Sequence, residues 1–399
     1  MTLSRRSPAL AFILLAGAAG CAVDDPPDLG AAREDLRRAR LGDPLPGLDP
    51  ELLDVFRAGE AAFTRDLTVE EGLGPLFIES SCVACHALGG VGGGDRLHDA
   101  NHVVARLPPA EVVQTRSIAE LGSLCRVTPE DVAPDVALAV RNPLQAFGDG
   151  LIDHVAPATL AEYVRAVPER GVRGKLGAGR FGWKAQSGTL AAFTAAAANG
   201  TMSLTTGAAA EQTRFGVAPD VIDPACANAV LGARTPNDDG TLLRTIVAWE
   251  ALLAPPERHP SAAADAGERI FGDTGCALCH RPTMTTRDSD YLLPMADGRV
   301  RAVPQLRAQT IAPYSDLLLH DMGAANAELI VQGNATAREL RTPPLWGVGH
   351  RARFLHDGRA TSLDEAIRLH GGEATEIRDA YAALPADERA LLLVFLASL

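Results

Sequence analysis

Aromatic residues are scarce, with 11 Phe, 4 Tyr and 3 Trp in 399 residues. Cores of this size lean heavily on such rings, so the missing bulk comes either from a large planar cofactor or from an alanine-rich interior. Clusters of Lys and Arg are missing too. The 37 Lys+Arg against 50 Asp+Glu leave a net charge of −13, which disfavours phosphate backbones and argues against a nucleic-acid partner. Beyond the amino terminus no apolar run approaches the roughly 20 residues that span a bilayer. What is abundant is ordinary globular material, 47% hydrophobic and 22% charged, in a chain long enough for two domains with cores of their own.

The amino terminus speaks to the compartment. Arg5 and Arg6 precede an apolar run from Ala9 to Gly20, which ends in Ala18-Ala19-Gly20-Cys21. The run is too short to cross a membrane and reads as a signal peptide. Small residues leading into a Cys resemble the lipobox of bacterial lipoproteins, which makes residues 1–21 a lipoprotein signal peptide with lipid on Cys21. Ordinary cleavage, leaving a spare thiol at Cys21, is the alternative. Residues 22–50 then form a flexible tether that holds the protein at the periplasmic side of a bacterial membrane.

The chain has seven cysteines, and four fall in Cys82-Val-Ala-Cys85-His86 and Cys276-Ala-Leu-Cys279-His280. Both are Cys-x-x-Cys-His, the attachment signature of c-type haem. On one helical turn two thioethers grip the porphyrin edge while the imidazole swings under the iron. Two matches in an exported chain, each with its His, argue against a zinc half-site or a redox dithiol. The expected cofactors are two covalently bound haem c groups. Cys125 and Cys226 remain, either as a disulfide or as two buried thiols.

The two motifs suggest two copies of one module. Phe77 and Phe271 each stand five residues before the first Cys of their motif, and an apolar helix closes each copy. The first helix carries Leu242, Leu243, Ile246, Val247 and Leu253; the second carries Leu392, Phe395, Leu396 and Leu399 at helical spacing. Pro255-Pro256 is the natural boundary between an N-terminal haem domain, 51–254, and a C-terminal one, 255–399. Strand patterns are scarce, so the expected fold is mainly α, two cytochrome c-like haem domains in tandem with extended loops.

Gly179-Arg180-Phe181-Gly182-Trp183-Lys184-Ala185, Tyr314-Ser315-Asp316-Leu317-Leu318-Leu319-His320-Asp321-Met322-Gly323 and Arg341-Thr342-Pro343-Pro344-Leu345-Trp346-Gly347 resemble the di-haem oxidoreductase family, also catalogued as thiol oxidoreductases. The C-terminal half is similar to bacterial di-haem cytochrome c peroxidases and to the enzymes that mature methylamine dehydrogenase. In those, a Met or Tyr fourteen residues after the His of His-Asp-Gly completes the C-terminal haem. Here His356-Asp357-Gly358 places His370 at that position. Ser362-Leu363-Asp364-Glu365 reads as a capping box and Gly371-Gly372 as a stop, which sets His370 on the last turn of a short helix. Met322 and His320 are the other candidates, although the resemblance gives His320 a supporting role.

The N-terminal haem has His86 and, after the glycine-rich loop 89–94, His98 and His102 as candidate distal ligands. With neither bound, its iron is five-coordinate. Open iron invites peroxide chemistry, which needs a carboxylate or imidazole to move a proton; Asp153 and His154 are the catalytic candidates. Trp183 and Trp346 are candidate electron relays. The leading function is a peroxidase-like oxidoreductase that takes electrons at the C-terminal haem from a small redox protein, a cytochrome or cupredoxin, and reduces peroxide or a related oxidant at the N-terminal haem. The alternatives are a di-haem electron carrier without a substrate site, and an enzyme that stores two oxidising equivalents to modify a partner protein.

Overall fold

The computed structural model describes residues 40–94, 102–105, 111–112, 114–119, 138–166, 168–206 and 237–399, at 102–105 and 111–112 for the backbone alone. Residues 1–39 with Cys21, and His98, Cys125 and Cys226, lie outside the described residues, as does the side chain of His102.

Two helix pairs organise what is described. The first joins α1, Pro50–Thr64, to Thr241–Leu252. The side chain of Asp49 accepts from the amide of Leu52 at 2.9 Å and Pro50 opens the helix, a start signal in which neither residue wastes a donor. Its buried face is Leu52, Phe56, Gly59 and Phe63, at the spacing of one helical stripe. Gly59 sits at the crossing, where an added Cβ would lie 2.4 Å from Trp249 Cβ and 2.6 Å from the carbonyl oxygen of Thr245. The second pair joins Ala262–Thr274, capped by Ser261, to Ala386–Ala397. Here Gly267 sits at the crossing, and its Cβ would lie 2.0 Å from the carbonyl oxygen of Leu391. Both closing helices fall where the apolar spacing places them, except that Leu253 and Leu399 lie just past their ends.

Between the pairs the chain is less helical than expected. Short helices alternate with long irregular connections and with five small antiparallel sheets among the described residues. One ladder pairs Leu319–Asp321 with Glu339–Arg341, setting His320 opposite Leu340. A hairpin, Tyr291–Pro294 with Val300–Val303, turns Leu293 and Val303 inward. These residues join one apolar core with Phe56, Leu151, Trp249 and Leu252, so the core draws on residues from both sides of Pro255. A second core gathers Phe271, Tyr314, Tyr381, Leu392 and Phe395 around the other helix pair. Each such side chain fully buried contributes about 1.5–3 kcal/mol. No helix among the described residues is long and apolar enough to cross a membrane.

Candidate haem sites

Each Cys-x-x-Cys-His begins as a single 3-10 turn, Cys82–Ala84 and Cys276–Leu278. The amide of His86 donates to the carbonyl of Cys82 at 3.1 Å, and that of His280 to Cys276 at 2.9 Å. Two sulfurs and an imidazole therefore leave one turn, as the spacing implies. A Phe from the preceding helix meets each imidazole: Phe63 lies 6.0 Å from His86, centroid to centroid, and Phe271 lies 6.3 Å from His280.

The partner of Phe271 in the first copy is thus Phe63, which corrects the sequence match with Phe77. Phe77 lies in a two-residue strand paired with Arg116–Ser117. The first copy has a longer connection between helix and motif, so counting back from the Cys lands in the wrong element. The repeat itself was legible as Ala58-Gly59-Glu60 before Phe63 and Ala266-Gly267-Glu268 before Phe271.

The C-terminal motif opens onto a cavity with about 1370 Å³ of empty space, including its open mouth. Cys276, Cys279, His280 and His370 all line it, against apolar walls that include Phe271, Leu345, Phe354 and Leu392. His280 Nδ1 lies 2.9 Å from the carbonyl oxygen of Tyr314, and His370 Nδ1 lies 2.7 Å from that of Ala366. A carbonyl can only accept, so Nδ1 carries the proton and donates in both rings. Burial, and then the neighbouring His370, hold His280 down to about 4, and burial holds His370 below its ordinary value. Two neutral imidazoles thereby keep a bare Nε2, the state in which a histidine ligates metal. Both rings are deep in the fold yet keep exposed surface, because the cavity reaches them.

Local sequence explains how His370 arrives there. Ser362 caps Leu363–Arg368 by accepting from the amide of Glu365 at 3.1 Å. The Glu365 carboxylate reaches back to the amide of Thr361, one residue before the cap. The amide of His370 then donates to Ile367 at 3.1 Å, folding the chain just past the helix.

His320 lines the same cavity but has no nitrogen to spare. Nε2 lies 2.9 Å from Asp316 Oδ2, Nδ1 lies 2.9 Å from Glu373 Oε2, and Cys279 Sγ is 3.7 Å away. Burial opposes its charge, but the hydrogen bonds with Asp316, Cys279 and Glu373 outweigh it and push the imidazole up to about 12. Glu373 is held down to about 2 against its own burial, by His320 and by the amides of Arg173 and Gly174. His320 is thus a buried cation beside the Cys279 sulfur. Trp183 also faces the cavity, its ring edge-on to His356 at 6.3 Å and its Nε1 donating to the carbonyl of Asn142 at 2.7 Å. Trp346 instead packs in the core, against Gly148.

Around the N-terminal motif the glycine loop is pinned rather than loose. The amide of Gly92 donates to the carbonyl of His86 at 2.9 Å, the amide of Ala146 donates to Gly92 at 2.8 Å, and Leu88 pairs with Gly94. Positive φ at Gly89, Gly90 and Gly92 makes this turn possible. Asp153 ends a short helix, Asp149–Asp153, where it accepts from the amide of Leu190 at 3.1 Å and from the hydroxyl of Tyr291 at 2.8 Å. His154 is buried, with Nε2 2.7 Å from the carbonyl oxygen of Ser289, and burial lowers its pKa. Sequence reasoning missed Asp149 and Glu250, two further enclosed carboxyls in this half; Glu250 acts electrostatically on the Cys82 thiol.

Thiols carried on one turn, bare imidazole nitrogens across an apolar cavity and a buried His356 Nδ1 with no partner among the described residues suit a flat, hydrophobic, metal-bearing group. The class so defined is that of haem proteins. Residues 165–399 match the family described as "Di-haem oxidoreductase, putative peroxidase", and the chain belongs to that family. No curated protein matches the sequence. Among solved structures the chain is distantly similar to hydrazine synthase of Kuenenia stuttgartiensis, at 15% identity over 99% of this chain and 100% of that one, with a TM-score of 0.38. A MauG-like protein associated with microbial copper homeostasis has 16% identity over 90% and 93%, with a TM-score of 0.40. The di-haem peroxidase BthA from Burkholderia thailandensis has 16% identity over 91% and 88%, with a TM-score of 0.32.

Proposed function

We propose that this protein is a peroxidase-like di-haem oxidoreductase, built as two cytochrome c-like modules at 51–254 and 255–399, that reduces peroxide or a related oxidant. Cys82, Cys85 and His86 would hold one haem c, with the two thiols as its covalent attachment points; Cys276, Cys279, His280 and His370 would hold the other. The observation that carries this reading is the pair of neutral imidazoles, each with Nδ1 tied to a carbonyl, lining the cavity of the second motif. When bound, each haem supplies one-electron redox chemistry. Two imidazole ligands would lower the potential of the C-terminal site relative to Met/His ligation, which favours passing an accepted electron on to the other haem.

The chain's own groups do the rest. Trp183 spans from the cavity wall to Asn142 of the N-terminal half and supports electron passage between sites. Asp153, hydrogen-bonded to the Tyr291 hydroxyl, and His154 are the groups that hold and deliver protons. A small cytochrome or cupredoxin is the electron donor, and lipid on Cys21 holds the protein at the periplasmic face of a membrane.

Electron paramagnetic resonance of the matured holoprotein, fully oxidised and then half-reduced, tests the reading, followed by peroxide turnover with a reduced small cytochrome. The expected result is a high-spin ferric signal from one haem in the oxidised or the half-reduced state, a low-spin ferric signal from the other in the oxidised state, and turnover. Low-spin ferric signals alone in both states, without turnover, would overturn the peroxidase reading in favour of an electron carrier.

A further inference from the structure

The two haem modules repeat down to single residues, and one difference between them is chemical. The amide of Gly148 donates to the carbonyl of Leu253 at 3.2 Å, as that of Gly347 does to Leu399 at 2.5 Å. A Cβ on Gly150 would lie 2.0 Å from the carbonyl oxygen of Ala251, and one on Gly349 would lie 2.3 Å from that of Ala397. Gly59 meets Thr245 and Trp249 where Gly267 meets Leu391 and Phe395. These contacts fix the register on both sides of two positions: Asp149 corresponds to Val348, and Glu250 to Leu396. Val348 and Leu396 line the C-terminal cavity. The N-terminal module therefore carries two carboxyls where its twin is apolar.

We propose that Asp149 and Glu250 form a proton-sharing carboxyl pair beside the Cys82–His86 site, which takes up one proton from solvent for each electron that arrives there. The inference rests on the haem reading above. In the balanced step a one-electron donor gives up one electron to the site and solvent gives one proton to the pair, so the charge enclosed there does not change. Burying an uncompensated charge is costly, and a carboxyl that takes up the matching proton avoids that cost.

The surroundings suit a pair that holds a proton near neutrality. Burial, followed by Asp153, raises Asp149 to about 7 against the opposing Arg341 cation. Burial and then Asp149 raise Glu250 to about 8, although the Thr194 hydroxyl donates to it. The Arg341 guanidinium is itself buried and donates through Nε to the carbonyl of Gly182 at 2.9 Å. Tyr291 faces the cluster through Asp153, and burial, followed by the neighbouring carboxylates, keeps its hydroxyl protonated. Glu250 acts electrostatically at the Cys82 position, which sets the pair beside the first motif.

The test is potentiometry of the holoprotein followed by electron paramagnetic resonance, with dithionite as reductant, after haem has been counted per chain. Fewer than two haems would overturn the haem reading. With two haems present, the N-terminal potential is expected to fall by about 59 mV per pH unit, the value of a tenfold change for a one-electron couple, above about pH 7, where the pair has a carboxylate ready to take up a proton. The C-terminal potential stays flat over that range. Asp149→Asn with Glu250→Gln is expected to flatten the N-terminal response. Should that chain fail to fold, Glu250→Gln alone should move the sloping window to lower pH by removing the like charge beside Asp149. A flat wild-type N-terminal potential, or a slope that the substitutions leave in place, would overturn the pair and leave the haem reading intact.

Discussion

Gly267 and Gly272 lie on one helix, and the same substitution should act on them with opposite sign. At Gly267 a Cβ would meet the carbonyl oxygen of Leu391 at 2.0 Å and Phe395 Cβ at 2.7 Å. A backbone oxygen cannot rotate away, so the helices must part by more than an ångström. That loosens the contact of Phe271 with Phe395, at 5.2 Å between centroids, and with His280. Overpacking of this kind costs about 1–3 kcal/mol or more, against a helix-propensity gain of about 1 kcal/mol for Gly→Ala. Gly267→Ala should therefore lose up to about 2 kcal/mol. At Gly272 nothing lies within 4 Å, so Gly272→Ala should gain about 0.5–1 kcal/mol. Urea unfolding of the holoprotein, followed separately by far-ultraviolet circular dichroism and by haem absorbance, reads both. Gly267→Ala should also perturb the C-terminal haem spectrum while leaving the N-terminal one unchanged. Equal signs at the two glycines would refute the close-crossing argument.

Removing His370 with His370→Ala should convert one haem from low to high spin while both stay attached; an unchanged electron paramagnetic resonance spectrum would refute its place opposite His280. Replacing both Cys276 and Cys279 by Ala should lower the covalent haem count from two to one by mass spectrometry, and a retained count of two would refute attachment at that motif. Glu373 has its folded pKa depressed to about 2 from an ordinary 4.5, so its contribution to stability is complete above 4.5 and fades as pH falls towards about 2. Acid unfolding of Glu373→Gln should lack that component; identical acid profiles would refute the His320–Glu373 pairing.

Much of this protein was written locally. Both Cys-x-x-Cys-His turns, the two closing helices and the Ser362 cap depend on neighbours within a few residues, because turns, caps and amphipathic stripes are short-range features. The sequence by itself also supplied the position of His370 and the family motifs. Tertiary structure alone decided which residues the two modules place in equivalent positions. Phe63 rather than Phe77 faces the first haem motif because the connection between helix and Cys differs in length between copies, and only packing at Gly59 and Gly267 restores the register. The double grip of Asp316 and Glu373 on His320 likewise joins a loop, a strand and a distant turn. Asp149 and Glu250 lie far apart in sequence with nothing local to pair them, and come together because a short helix lies against the closing helix at Gly150, where Ala251 leaves no room for a side chain.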